Sequence, residues 1–116
     1  MNQYDDKKIM ISIVIISWKM KDLLQSCLRS IYKFTKDIEF EIIVIDNHSK
    51  DGTSEMVQSE FPEINLIQNS ENRGVAPARN QGMKVARGKY VLILDADVEL
   101  TENSILKLFQ YMEDDK

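Results

Sequence analysis

Two carboxylates one residue apart, Asp95 and Asp97, follow directly on the apolar run Tyr90-Val91-Leu92-Ile93-Leu94. Such a run, with β-branched members, reads as a buried strand. In an open α/β sheet, ligands gather at the carboxyl ends of the strands. A carboxylate pair there is a hard-oxygen site suited to Mg²⁺ or Mn²⁺, ions commonly held by one or two protein carboxylates plus substrate phosphates. Taken alone, the pair could equally cap a strand and face water. Other segments add to it. Asp46 ends the run Ile43-Val44-Ile45, where a carboxylate can accept a hydrogen bond from a nucleobase ring N–H. The residues after it, Asn47 to Thr53, also read as a polar turn, with Asp51-Gly52 for the bend and Ser49, Asp51 or Thr53 as helix cap. In Asn72 to Gly82, Gly74 lets the chain turn, and a helix N-terminus with Arg79 offers an anion or base contact. Arg79 as a solvated surface charge is the alternative. His48 is the only histidine, expected in solvent. No P-loop, nucleophile elbow or cysteine-based zinc site is present.

The elements that must position these groups alternate along the chain. Ile9 to Ile16, Phe40 to Ile45, Ile64 to Gln68 and Lys89 to Leu94 read as strands. Near-continuous apolar runs suit strands covered on both faces. Met20, Leu23, Leu24, Cys27, Leu28 and Ile31 fall on one helical stripe, which makes Cys27 a small core hydrophobe. Ser54 to Phe61 is a shorter helix ended by Pro62. Pro77 suits the first turn of a third helix and Gly88 its C-terminal cap, while Ala78 and Gly82 give it a small face that can press on the sheet. A last helix is expected from Thr101 as N-cap, with Ile105, Leu108, Phe109 and Met112 as its stripe. The implied fold is α/β: a doubly wound, mostly parallel sheet with helices on both faces. Residues 1–8 and 113–116 are expected to be frayed ends.

With 116 residues, the chain is expected to form a single domain. Its composition, 43% apolar and 29% charged, is that of an ordinary globular protein. A net charge of −4 argues against a broad nucleic-acid surface. It does not exclude an anionic small ligand, for which a bound cation can supply positive charge. Cys27 is the sole cysteine, so no internal disulfide forms and a reducing compartment is compatible. No apolar run approaches the ~18 residues of a membrane span, and the polar start is unlike a signal peptide. A cytoplasmic location is expected.

In this order the loops resemble the amino-terminal half of the GT-A-fold, family 2 inverting glycosyltransferases. The matching segments are Ile11 to Trp18, Ile43 to Thr53, Asn72 to Gly82 and Gly88 to Asp97. The likeness runs from Ile9 to Met112, making residues 9–112 the nucleotide-sugar-binding half of a truncated GT-A domain. Each motif alone is weak; together, in order and spacing, they are strong. The Asp-Asn-x-Ser-x-Asp-Gly form is similar to bacterial rhamnosyltransferase-like members.

The resemblance implies roles residue by residue. Ser17 and Trp18 stand at the nucleotide, with Trp18 lying against the base. Asp46 matches the carboxylate that bonds the uracil or thymine ring N–H, and Arg79 a basic residue near base and diphosphate. Asp95 corresponds to a carboxylate near the ribose and the metal, and Asp97 to the ligand of Mg²⁺ or Mn²⁺ bridging the diphosphate. Lys19 and Asn47 depart from the family pattern, where asparagine and a second aspartate are frequent; neither position usually carries the metal. The implied reaction moves a sugar from a UDP- or dTDP-linked donor to an acceptor hydroxyl with inversion, in polysaccharide synthesis. Its base is expected beyond Lys116, as is the site for a carbohydrate or lipid-linked acceptor, so the 116-residue chain is expected to be inactive and prone to self-association. In the full-length protein, a peripheral position at the inner face of a membrane is compatible. The alternative is a nucleotide-binding module without turnover. A receiver-like signalling domain would need acidic residues where this chain has Ser17-Trp18-Lys19.

Overall fold

Strands and helices alternate without exception in the computed structural model, which describes residues 8–114. In chain order they are β1 (Ile11–Ser17), α1 (Lys21–Phe34), β2 (Phe40–Asp46), α2 (Thr53–Glu60), β3 (Asn65–Gln68), α3 (Val75–Val85), β4 (Tyr90–Asp95) and α4 (Ser104–Asp114). All strand pairs are parallel and the sheet order is β3-β2-β1-β4. The chain winds outward from β1 through β2 to β3, then returns through α3 to place β4 on the other side of β1. The expected doubly wound sheet is present.

Burial follows the strand period. Ile11, Ile13 and Ile15 of β1 join Ile42 and Val44 of β2 in a core shared with Leu24, Cys27, Leu28 and Ile31 of α1, Met56 and Val57 of α2 and Ile105 of α4. Val14, Ile43 and Ile45 point the other way, onto Ala78 of α3. The small face of α3 is required there: a Cβ on Gly82 would lie 2.4 Å from Val14 Cγ1 and 3.0 Å from Ile45 Cδ1. Tyr32 of α1 stacks on Phe61 at 5.9 Å, joining α1 to the end of α2.

Several expectations differ from the structure. Met20 and Leu23 are exposed, since only Leu24, Cys27, Leu28 and Ile31 of the proposed stripe turn inward. Gly88 does not cap α3, which ends at Val85 with Ala86 as its C-cap. It crosses β1 so closely that a Cβ would lie 2.6 Å from the Ser12 nitrogen, and its N–H donates to Ser12 Oγ at 2.8 Å. Ser12 in turn donates to Glu41 Oε2 at 2.6 Å, and Glu41 pairs with Arg87 at 3.3 Å, closing the amino end of the sheet. The last helix begins at Ser104 and not after Thr101. Asn103 exchanges hydrogen bonds with the Lys36 backbone, accepting at 3.4 Å and donating at 3.0 Å, and so holds the preceding turn out of the helix. Leu108 and Met112 of α4 are exposed, and Val91 is exposed on β4, the outer strand. Glu113 and Asp114 are helical and not frayed; Glu113 accepts from Tyr90 Oη at 2.6 Å and pairs with Lys89 at 2.7 Å. The frayed amino terminus expected at residues 1–8 falls, Lys8 apart, outside the described residues, as do residues 115 and 116.

Cys27 is the buried core residue expected. Burial pushes its thiol up to about 11, with the charges of Asp97 and Glu99 adding to the effect. Iodoacetamide at pH 8 is therefore expected to modify Cys27 only as fast as the chain opens; rapid labelling of the native protein would contradict this. Because the fold favours the neutral thiol, this contribution to stability is complete below about pH 9 and is lost as pH rises towards about 11. Gly82→Ala is expected to lower stability by about 1–3 kcal/mol through overpacking against Val14, read as a lower urea midpoint at unchanged slope.

Candidate functional site

The winding reverses at β1, and a crevice opens where the loops after β1 and β4 part. A cavity of about 350 Å³ lies there, lined by Ile16 of β1, Trp18 and Met20 after it, Asn47 after β2, Asn72 and Gly74 before α3, Val75 and Arg79 of α3, and Ile93, Leu94 and Asp95 at the end of β4. Its walls are apolar and half open: Trp18 is 48% exposed and Val75 59%, both large side chains with no burial to justify their position. Polar groups enter from both sides of β1: Asn47, Asn72 and Arg79 from the β2 and α3 side, Asp95 from β4. Arg79 and Asp95 are its charged lining residues, of opposite sign.

The loop after β1 is locked in place. Lys19 takes a left-handed backbone (φ 56°), and its N–H donates to Ser49 Oγ at 2.9 Å. Lys19 Nζ sits 4.8 Å from the Trp18 ring centroid. The Ser17 carbonyl accepts the Asn47 N–H at 2.9 Å. The loop after β2 coils through three left-handed residues, His48 (φ 71°), Lys50 (φ 57°) and Gly52 (φ 90°). Asp46 holds this coil: Oδ1 accepts the Ser49 N–H at 3.0 Å and Oδ2 the Ser54 hydroxyl at 2.6 Å. Asp51 accepts the Thr53 N–H at 3.1 Å and the Thr53 hydroxyl. Desolvation is the largest single influence and works against its charge, but the Thr53 donors, with the backbone N–H groups of Lys21 and Asp51, together outweigh it and hold the Asp51 carboxyl below the usual range.

Of the residues singled out by sequence, Trp18, Arg79 and Asp95 meet at the cavity. Ser17 does not: its side chain is fully buried, and Oγ finds no hydrogen-bond partner among the described residues. Asp46 also lies off this cavity. It lines a smaller recess of about 190 Å³ with His48, Ser49 and Asn69, where His48 is half-buried and not in solvent as expected. Asp97 is exposed in the turn after β4, outside the cavity lining, with Ala96 buried between it and Asp95. The cavity is also lined by Asn47, Asn72, Met20 and Val75, for which residue type and spacing suggest no binding role. The one available signal was an Asn-rich set at strand ends, and its meaning depends on which amides meet.

Among the described residues, no group of three or more His, Cys, Asp or Glu side chains gathers closely enough to hold a metal ion. At the end of β4 the described residues offer two carboxylates, Asp95 and Asp97, both exposed. Exposed carboxylates in that number fit Mg²⁺ or Mn²⁺, which usually keep water and substrate phosphate as further ligands.

Comparison with known proteins agrees with this geometry. Residues 12–116 match the Glycosyl transferase family 2 family. The chain is 37% identical over 99 residues to an uncharacterized glycosyltransferase, YfnE, of Bacillus subtilis, covering 83% of this chain and 25% of that relative. S. aureus TarS 1-349 in complex with UDP-GlcNAc superposes with a TM-score of 0.80 at 24% identity, over 91% of this chain and 32% of that one. The mannosyltransferase PcManGT from Pyrobaculum calidifontis, in complex with GDP-Man and Mn²⁺, gives a TM-score of 0.75 at 27% identity, over 87% and 31%. The fold is that of GT-A glycosyltransferases, and the chain spans a third or less of each of these proteins. With its family match reaching from β1 through α4, this chain belongs to glycosyl transferase family 2.

Proposed function

We propose that residues 9–112 form the donor-binding half of an inverting glycosyltransferase that takes its sugar from a UDP- or dTDP-linked donor. The observation that carries this reading is the meeting of Trp18, Arg79 and Asp95 in one crevice at the point where the sheet reverses. Trp18 offers a flat, exposed face to a base. Arg79, beside the amino end of α3, faces the charge of a diphosphate. Asp95 and Asp97 would hold Mg²⁺ or Mn²⁺, as supported by the Mn²⁺ complex of the Pyrobaculum relative. When bound, the cation offsets the charge that collects on the departing diphosphate. Ser17 and Asp46 serve the site from behind: the Ser17 carbonyl and the Asp46 carboxylate tie the loops that carry Trp18 and Asn47.

Inversion needs a base to take the acceptor proton. Asp95 is the one carboxylate among the described residues that line the cavity, and it is committed here to the donor. We therefore assign the base, and the surface for a carbohydrate or lipid-linked acceptor, to sequence beyond Lys116. Among the described residues no helix is long and apolar enough to cross a membrane.

Calorimetry with UDP and dTDP is expected to show tighter binding with Mn²⁺ or Mg²⁺ than in chelator, and Asp97→Asn is expected to remove the difference. Equal affinity in both conditions would strip Asp97 of its metal role. Asp46→Ala is expected to weaken UDP and GDP alike by loosening the loop. A loss confined to uridine and thymidine nucleotides, about 1–3 kcal/mol, would make Asp46 a direct reader of the base. The 116-residue chain is expected to transfer no sugar when incubated with UDP-sugars, metal and mixed acceptors. Acceptor-dependent release of UDP, abolished by Asp97→Asn, would make it a complete enzyme.

A further inference from the structure

We propose that Asn47 is a positioning residue that holds one wall of the cavity in place, through a relay of amides, and that nucleotide affinity depends on its carboxamide. This rests on the nucleotide-binding reading above. Asn47 is 2% exposed, and every hydrogen-bonding position of its amide is used. Oδ1 accepts from Asn69 Nδ2 at 3.1 Å and from the Arg73 N–H at 3.0 Å. Nδ2 donates to Asn72 Oδ1 at 3.0 Å and to the Gly74 carbonyl at 3.2 Å. The orientation is unambiguous, because the Arg73 N–H can only donate and the Gly74 carbonyl can only accept.

The relay extends into α3. Asn69 and Gln81 exchange two bonds, of 2.9 and 2.8 Å, so Gln81, Asn69, Asn47 and Asn72 connect α3, the ends of β3 and β2, and the turn before α3. Within that turn, the Gly74 N–H donates to Asn72 Oδ1 at 2.8 Å, so Asn72 joins the Asn47 amide to the bend itself. Gly74 takes a left-handed backbone (φ 82°), and no atom lies within 4 Å of where its Cβ would be. Asn72, Gly74 and Val75 nevertheless form one wall of the cavity. Hydrogen bonds, not packing, set the position of that wall, and Asn47 is their hub.

A carboxylate of the same shape separates this role from simple bulk. In Asn47→Asp, the bonds from Asn69 and Arg73 can remain, but an acceptor would face Asn72 Oδ1 and the Gly74 carbonyl. The turn is then pushed off the cavity until the carboxyl takes up a proton and regains a donor.

The experiment is calorimetric titration of the chain and its variants with UDP and Mn²⁺ from pH 8 to pH 5. N47D is expected to bind about tenfold or more weakly than the unsubstituted chain at pH 8, with the ratio narrowing as pH falls. Effects of pH on Asp95, Asp97 and the nucleotide are common to both proteins and cancel in the ratio. Asn72→Ala, at an exposed position, removes an acceptor of Asn47 without touching the core. It is expected to weaken binding several-fold at an unchanged melting temperature, which keeps the test valid if N47D folds poorly. Undiminished binding by N72A, or an N47D ratio independent of pH, overturns the role of Asn47. Failure of the unsubstituted chain to bind any nucleoside diphosphate overturns the nucleotide reading itself.

Discussion

β1 is the strand on which the molecule depends. It pairs with β2 on one side and β4 on the other, and from Ile11 to Ile15 it is buried on both faces, by α1, α2 and α4 below and α3 above. A strand so enclosed cannot present a polar group along its length without leaving it unpaired in an apolar setting. Its one buried polar residue within that stretch, Ser12, is accordingly tied to Glu41 and Gly88. Chemistry is thus displaced to the carboxyl rim. There the connections leave in opposite directions, and neither can cover the gap between them. The cavity is a consequence of how the sheet is wound.

The rim itself is built from hydrogen bonds more than from packing. Asp46 coils the loop after β2, Ser49 holds Lys19 and so presents Trp18, and the Asn47 amide fixes the turn ahead of α3. Each of these groups is buried and satisfied, the condition under which a polar network specifies one arrangement. The consequence for a ligand is preorganisation. An aromatic face, a guanidinium and a carboxylate line the same space, and under the proposed nucleotide reading the fixed loops beneath them leave less ordering to be done on binding.

On the outer strand β4 and on α4, apolar groups remain uncovered among the described residues. Val91, Leu108 and Met112 are all exposed, and β4 is the outer strand of the sheet. The chain spans a third or less of the proteins compared with it, and such a surface is what the proposed donor half would leave for an acceptor half to cover.

The winding of the sheet was legible in the sequence because its causes are local. Runs such as Ile42-Ile43-Val44-Ile45 admit little but a doubly covered strand, and helices between such runs force parallel neighbours. The pair Ala78 and Gly82 announced close packing, since only small side chains let a helix approach so near. Boundaries and exposures were less legible. Asn103 ends one turn by bonding Lys36, a residue far away in sequence, and Met20 and Leu23 kept the period of a buried stripe while facing outward. In the site, sequence marked Trp18, Arg79 and Asp95 by residue type. It also marked Asp46, whose carboxylate the tertiary structure turns to Ser49 and Ser54, and it passed over Asn47. A side chain's type fixes what it can donate or accept. Which partners it meets is set by strands and loops distant in sequence, and that only the folded chain decides.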